Sequence, residues 1–285
     1  MWWILACSGG ADGTDSTDSP AGPPAPSYLA RPVGEPSGTC PDFTQQGMQN
    51  MKSNDVKRDV WAWWPNNLPE EPIGVMFAWH GLGDTAENFA ESLDLESIAK
   101  SNNILVLAPG SANPIYTWDY INNGGDDIAL YDDLRACATT AFNIDLDQVT
   151  SMGFSYGALW TTWLSMHHDD TLAAALVFSG GTGVNVALPY VSPTTDIPVL
   201  GNWGGSSDSF DAGFVVVDFE ATMAEYLTSL ASDGHVAIGC DHGLGHSMPN
   251  DYPEQIEAFL LTHRFGVASP FEGGGTAGLP DYCSP

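Results

Sequence analysis

A serine flanked by two glycines, between a strand-like run and a helical run, constrains this chain more than any other feature. Gly153-Phe154-Ser155-Tyr156-Gly157 follows the β-rich run 148–152 and precedes residues 158–164, whose apolar side chains recur at helical spacing. Glycines at these two places let the backbone turn sharply and present the serine hydroxyl at the top of a sheet. In a chain with 31 glycines, the five-residue pattern alone fits a structural turn equally well. Other segments must therefore supply the partners that a reactive serine needs.

Continuously apolar runs alternate with helical patterns through most of the chain. The predicted strands cover residues 58–64, 73–79, 104–108, 149–152, 173–178, 197–200 and 235–238, and the predicted helices cover 126–141, 219–230 and 253–263. Uninterrupted apolar strands are typical of parallel sheets covered on both faces. The alternation predicts a doubly wound, mostly parallel α/β sheet.

The charge of the chain is strongly one-sided, with 36 acidic residues against 7 basic ones and a net charge of −29. Nucleic-acid binding depends on Lys and Arg that displace counterions from phosphates, so this class of partner is excluded. Anionic membrane surfaces are disfavoured for the same reason. The composition suits a secreted protein or a saline setting.

Residues 1–39 are predicted to be a lipoprotein-like leader and a disordered tether rather than part of the folded domain. Ile4-Leu5-Ala6-Cys7 is similar to a bacterial lipobox, in which the cysteine is lipidated, and the alternative is a frayed terminus with an incidental cysteine. Residues 8–38 are rich in Gly, Ser, Thr, Asp and Pro, a composition typical of disorder. We therefore expect a secreted, cell-surface or periplasmic bacterial lipoprotein whose only membrane contact is a lipid on Cys7.

Four further cysteines allow up to two disulfides: Cys40, Cys137, Cys240 and Cys283. Four cysteines have three possible pairings, and the sequence does not choose among them. None lies in a C-x-x-C pair, so zinc binding and thioredoxin-like chemistry have little support. The Gly- and Pro-rich residues 266–285 form a predicted tail behind a folded domain at 40–265.

Two strand ends offer the partners of a catalytic serine. Asp208 follows the strand 197–200 and can orient an imidazole, with Asp211 as the alternative acid. His246 lies in a glycine-flanked loop after the strand 235–238, and His242 in the same loop is the alternative base. The order Ser155, Asp208, His246 is that of the α/β-hydrolase triad.

A glycine-rich turn at a third strand end predicts an oxyanion hole. His80-Gly81-Leu82-Gly83 follows the strand 73–79, and such a turn can aim a backbone N–H at a developing oxyanion. We assign the hole to the N–H groups of Leu82 and Tyr156, the residue after the nucleophile. His80 is predicted to be structural.

Residues 58–262 resemble the esterase family that includes polyhydroxybutyrate depolymerases, feruloyl esterases and acetylxylan esterases. The matching stretches are His80-Gly81, Thr117-Trp118-Asp119-Tyr120, Asp126-Asp127-Ile128, Ile144-Asp145-Leu146-Asp147-Gln148-Val149, Gly153-Phe154-Ser155-Tyr156-Gly157 and Gly245-His246-Ser247-Met248-Pro249. The resemblance implies the α/β-hydrolase fold, with Ser155 as nucleophile, His246 as base and Asp208 as acid. It also implies that Trp118 lies near the acyl site.

We therefore predict a serine carboxylester hydrolase without a cofactor, acting as a monomer. The alternatives are a serine peptidase on the same fold and a non-catalytic surface binding protein. The stretch between Ser179 and Asp196 is too short for a large lid domain, which favours bulky or polymeric esters. Feruloyl, acetylxylan and aliphatic polyester substrates all remain open, with Trp118 and Trp203 as the aromatic side chains predicted to contact them.

Overall fold

The computed structural model describes residues 28–285 apart from Pro114, Tyr116, Ala212 and Phe214. The expectations for residues 1–27, including the lipid on Cys7, lie outside this part of the chain. The strands are β1 Gly47–Ser53, β2 Val56–Trp63, β3 Ile73–Trp79, β4 Leu105–Pro109, β5 Ile144–Phe154, β6 Ala174–Phe178, β7 Val199–Trp203, β8 Ser209–Asp211, β9 Val216–Asp218, β10 Ala237–Asp241 and β11 Cys283–Ser284. The helices are α1 Ala86–Ser92, α2 Leu95–Asn102, α3 Gly125–Ala141, α4 Tyr156–His167, α5 Phe219–Ser232 and α6 Tyr252–Ala258.

Nine of these strands form one sheet in the order β1-β2-β4-β3-β5-β6-β7-β10-β11, and β8 and β9 form a separate hairpin. The six strands from β4 to β10 in this order run parallel, whereas β1, β2 and β11 pair antiparallel. The predicted α/β-hydrolase fold with a mostly parallel sheet is confirmed. In the described chain, β6 and β7 are joined by a segment with one short 3-10 turn, Val184–Val186, so no large lid lies there.

The central strand β3 shows why the apolar runs are uninterrupted. All seven of its residues are buried. Val75, Phe77 and Trp79 face the core layer that contains α3, α4 and α5, whereas Met76 and Ala78 face the layer that contains α1, α2 and α6. Successive side chains of a strand point to opposite faces, so both must be apolar when helices cover both.

The two disulfides join Cys40 to Cys137 and Cys240 to Cys283. The first links the segment before β1 to α3. The second links β10 to β11, so the region 266–285 is anchored to the edge of the sheet. These bonds resolve the pairing that the sequence left open.

Residues that precede the predicted domain boundary at residue 39 make hydrogen bonds to the folded domain. The N–H groups of Leu29 and Ala30 donate to Asp147 Oδ1 at 2.8 and 2.9 Å. Ser37 donates its N–H and its hydroxyl to the carboxylate of Asp133. Residues 28–38 therefore have specific contacts that their composition did not predict, and the domain limits stay predictions.

Several elements were not predicted from the sequence. The edge strand β1 mixes polar and apolar residues, and α1 and α2 have only 7 and 8 residues. The hairpin β8–β9 was also missed. The last helix ends at Ala258 instead of His263, because Phe259 leaves the helix and a 3-10 turn follows at Leu260–Thr262. No helix in the described ranges is long and apolar enough to cross a membrane.

We expect both disulfides to contribute strongly to stability, because they close loops of 97 and 43 residues in the unfolded chain. The loop-entropy model assigns about 4 to 5 kcal/mol to loops of this size, with the longer loop contributing more. The double variants Cys40→Ser/Cys137→Ser and Cys240→Ser/Cys283→Ser should each lower the unfolding free energy measured in urea by about that amount. Wild-type protein treated with a reductant is the control. An unchanged urea midpoint in either variant would contradict the pairing.

Candidate active site

Ser155 lies in the turn between β5 and α4, and its backbone has the strained conformation φ 54°, ψ −118°. Its N–H donates to the carbonyl oxygen of Phe178 at the end of β6, at 2.9 Å. A non-glycine residue with positive φ persists only where the surrounding structure holds it. Here the two parallel strands hold it, and the side chain points out of the carboxyl edge of the sheet.

The two glycines of the motif are required by close backbone approach. A Cβ on Gly153 would overlap the carbonyl oxygen of Gly157, and a Cβ on Gly157 would overlap the carbonyl oxygen of Trp79. The start of α4 therefore lies directly against the ends of β5 and β3. The same packing brings Gly81 next to the serine, since a Cβ on Gly81 would lie 3.4 Å from Ser155 Cβ.

Three predicted residues meet in one hydrogen-bonded chain. His246 Nε2 lies 3.0 Å from Ser155 Oγ, and His246 Nδ1 lies 2.7 Å from Asp208 Oδ1. Because the carboxylate accepts at Nδ1, that nitrogen carries the proton and Nε2 is free to accept the serine proton. This is the arrangement in which an imidazole can act as general base for a hydroxyl.

The carboxylate of Asp208 is held on both oxygens. Oδ2 accepts the hydroxyl of Ser179 at 2.7 Å and the N–H of Gly204 at 2.9 Å, which leaves Oδ1 for His246. Asp208 is 1% exposed, so these donors replace the water that a buried carboxylate loses. The alternative acid, Asp211, lies on the exposed strand β8 and accepts the N–H of Gly213 instead.

Two aromatic rings pack against the imidazole. Phe219 stacks on His246 with centroids 4.8 Å apart and planes 12° apart, and Phe154 lies at 4.9 Å. The N–H of Phe219 also donates to the carbonyl oxygen of Asp208 at 2.9 Å. Sequence analysis missed Ser179, Phe154 and Phe219. Only Phe154 had a signal, as a member of the glycine–serine motif.

Part of the chain is similar to curated esterases. No family model matches the chain. It is 27% identical over 141 residues to a probable acetylxylan esterase A of Aspergillus fumigatus. The matched region covers 47% of this chain and 38% of that protein. The chain is 24% identical over 166 residues to feruloyl esterase B of Thermothelomyces thermophilus, covering 54% and 56%. The matched region spans about half or less of these relatives.

Solved structures match over most of the chain. The native structure of sOPH superposes with a TM-score of 0.70 at 17% identity, over 88% of this chain and 96% of that one. The acetyl xylan esterase from Aspergillus awamori has a TM-score of 0.60 at 16% identity, over 74% and 98%. The chain has the α/β-hydrolase fold of these structures and is similar in part of its sequence to the acetylxylan and feruloyl esterases.

The N–H groups assigned to the oxyanion hole lie on the elements where the α/β-hydrolase fold leads us to expect them. Tyr156 is the first residue of α4, where the helix leaves N–H groups without a helical partner. Leu82 lies in the turn after β3, one residue beyond the Gly81 that contacts Ser155. Neither N–H donates to another protein group among the described residues. Their role as oxyanion donors stays a prediction.

The residues behind this turn are structural. His80 is fully buried; it donates from Nδ1 to the carbonyl oxygen of Gly81 at 2.9 Å and accepts the N–H of Ser111 at Nε2. Burial lowers the pKa of His80, so its ring stays neutral in this role. Trp118 is 1% exposed and donates its indole N–H to the carbonyl oxygen of His80 at 2.9 Å. The burial of Trp118 favours support of the turn over the predicted contact with substrate.

Two further predicted residues lie away from Ser155. The ring of Trp203 packs over Gly239, beside Leu227 of α5, rather than against the serine. His242, the alternative base, accepts the N–H of Leu244 at Nδ1, and its ring lies beside Tyr282. The structure therefore places the ring of His246, and not that of His242, against the serine.

We expect Gly157→Ala to destabilise the fold even though alanine is the better helix former by about 1 kcal/mol. The added Cβ overlaps the carbonyl of Trp79, and overpacking of this kind costs roughly 1–3 kcal/mol when neighbours must shift. Thermal unfolding should therefore show a melting temperature several degrees lower, as expected for a loss of unfolding free energy of this size. Gly275→Ala is the matched control, because nothing lies within 4 Å of a Cβ there. Equal melting temperatures of the two variants would contradict the close approach.

Proposed function

We propose that this chain is a serine carboxylester hydrolase that works through a Ser155–His246–Asp208 triad and an acyl-enzyme. The observation that carries the proposal is the continuous hydrogen-bonded chain from Ser155 Oγ to Asp208, with links of 3.0 and 2.7 Å. The relatives named as acetylxylan and feruloyl esterases support an ester as the substrate. No metal or organic cofactor enters the proposed reaction.

The proposed reaction uses these atoms in two halves. Ser155 Oγ transfers its proton to His246 Nε2 and attacks the ester carbonyl carbon. The N–H groups of Tyr156 and Leu82 stabilise the oxyanion that forms. His246 then protonates the leaving alcohol, and a water molecule activated by the same ring releases the acid from Ser155. Asp208 stabilises the imidazolium in both halves of the reaction.

We propose bulky or polymeric esters as the substrate class, since the described chain between β6 and β7 carries no large lid over the site. The two disulfides support an oxidising compartment and hence an exported protein. The finer proposal, a bacterial lipoprotein anchored at Cys7 and acting as a monomer, rests on sequence alone. The net charge of −29 supports a role without nucleic acid.

The proposed activity is tested by hydrolysis of p-nitrophenyl acetate. The wild-type protein should hydrolyse this ester, and a serine-directed organophosphonate should block it and label a peptide containing Ser155. Ser155→Ala should lower turnover by about 10⁶, because the triad acts as a unit. A variant that keeps a tenth of the activity with an unchanged circular dichroism spectrum would remove Ser155 from the mechanism. A folded wild-type protein without esterase activity would favour the peptidase or the binding protein.

Two matched pairs of variants test the base and the acid. His246→Ala should be as damaging as loss of Ser155, whereas His242→Ala should cost less than about tenfold, or about 1.4 kcal/mol of barrier. Asp208→Asn should lower turnover by about 10⁴, because an amide N–H at Nδ1 favours the wrong tautomer. Asp211→Asn should change turnover little. If His242→Ala lowers turnover more than His246→Ala, the role of base belongs to His242. If Asp211→Asn lowers turnover more than Asp208→Asn, the role of acid belongs to Asp211.

A further inference from the structure

The end of β6 lies between the strand of the nucleophile and the strand that leads to the acid. Phe178, its last residue, pairs with Phe154 of β5 on one side and with Asn202 of β7 on the other. The carbonyl oxygen of Phe178 accepts the N–H of Ser155 at 2.9 Å. The next residue, Ser179, donates its own N–H to the carbonyl oxygen of Asn202 at 2.8 Å. Ser179 therefore leaves the sheet between the two halves of the triad.

The backbone of Ser179 has the left-handed conformation, with φ 55°. A side chain is strained in this region, and glycine is the residue that adopts it readily. The turn that follows β6 has glycine at two other positive-φ positions, Gly181 with φ 100° and Gly183 with φ 150°. Position 179 thus carries a serine where glycine would give the more stable backbone. Strain that is kept in this way points to a function of the side chain.

The hydroxyl of Ser179 contacts the acid of the proposed triad. Its Oγ donates to Asp208 Oδ2 at 2.7 Å, and Ser179 is fully buried. The other donor to Oδ2 is the backbone N–H of Gly204. Within the described residues, Ser179 and His246 are therefore the two side chains that bond to this carboxylate. A carboxylate held at Oδ2 presents Oδ1 to the imidazole.

We propose that Ser179 is a positioning residue for the proposed reaction, whose hydroxyl holds the carboxylate of Asp208 in the rotation that binds His246 Nδ1. This inference rests on the proposed function. Because the hydroxyl bonds to Asp208, it acts on turnover through the acid rather than on substrate binding. Its loss leaves a buried carboxylate with one donor fewer, which loosens the orientation of the acid and of the ring bonded to it.

The variants Ser179→Ala and Ser179→Gly test this role, because both remove the hydroxyl and only the second relieves the backbone. Each should lower kcat for p-nitrophenyl acetate about tenfold to hundredfold, as expected for loss of a hydrogen bond to a charged group. KM should stay within about twofold of the wild-type value, since substrate binding is untouched. The melting temperature of Ser179→Gly should be a few degrees above that of Ser179→Ala. Activity should thus follow the hydroxyl and not the stability.

Ala187→Gly is the matched control, because the exposed residue Ala187 has the same left-handed backbone, with φ 53°. This variant should raise the melting temperature and leave kcat unchanged.

A readout independent of turnover is the downfield ¹H NMR resonance of the proton between His246 Nδ1 and Asp208. It should be present in the wild type and in Ala187→Gly, and it should broaden or move upfield in both Ser179 variants. A double variant gives a second check. Ser179→Gly/Asp208→Asn should have the same kcat as Asp208→Asn alone, because residues that act as a unit are not additive.

Either of two results in an active enzyme would overturn the inference. An unchanged kcat and NMR resonance in Ser179→Gly would remove the hydroxyl from the positioning of Asp208. A kcat that recovers from Ser179→Ala to Ser179→Gly together with the melting temperature would make Ser179 a residue of stability alone. If Ser179→Ala fails to fold, Ser179→Gly and its NMR resonance carry the test. Absence of acetate hydrolysis in the folded wild type would instead refute the proposed function, and the role of Ser179 with it.

Discussion

The contact between the start of α4 and the carbonyl end of β3 is the constraint on which the site depends. Gly157 lies so close to Trp79 that no side chain fits between them. This contact holds the start of α4 against the ends of the strands, with Ser155 in a positive-φ conformation in the turn before it. It also brings the turn at Gly81 beside the serine. Ser155 and the assigned oxyanion donors are therefore brought together by the same packing contact rather than by separate loops.

The other half of the site depends on the saturation of one buried carboxylate. Asp208 accepts from Ser179, Gly204 and His246, which come from three different segments of the chain. A buried carboxylate without such donors is costly, so the ends of β6 and β7 and the histidine loop are held together around it. The stacked ring of Phe219 then restricts the imidazole to one plane. Because these donors lie on elements of the scaffold, the hydrogen bonds at the serine are formed before a substrate arrives.

Much of the fold and of the site could be predicted because their signals are local. Seven apolar runs mark strands, and Ser155, Asp208 and His246 each follow one of them, so the parallel sheet brings all three to one edge. The hairpin β8–β9 has strands of three residues, too short for a periodic pattern, and was missed. The type of a residue does not show which way its ring points, so the sequence could not predict that Trp118 is buried and that Trp203 packs over Gly239. Ser179 carried no signal, since its role exists only once Asp208 lies beside it.

The disulfide between Cys240 and Cys283 has a consequence for aggregation. It keeps β11 paired with β10, the strand that leads into the loop of His246. Without β11, one side of β10 would present unpaired N–H and C=O groups along an apolar strand, a surface on which another chain can add. The bond thus covers an open edge of the sheet, and a reduced protein would risk joining its neighbours edge to edge.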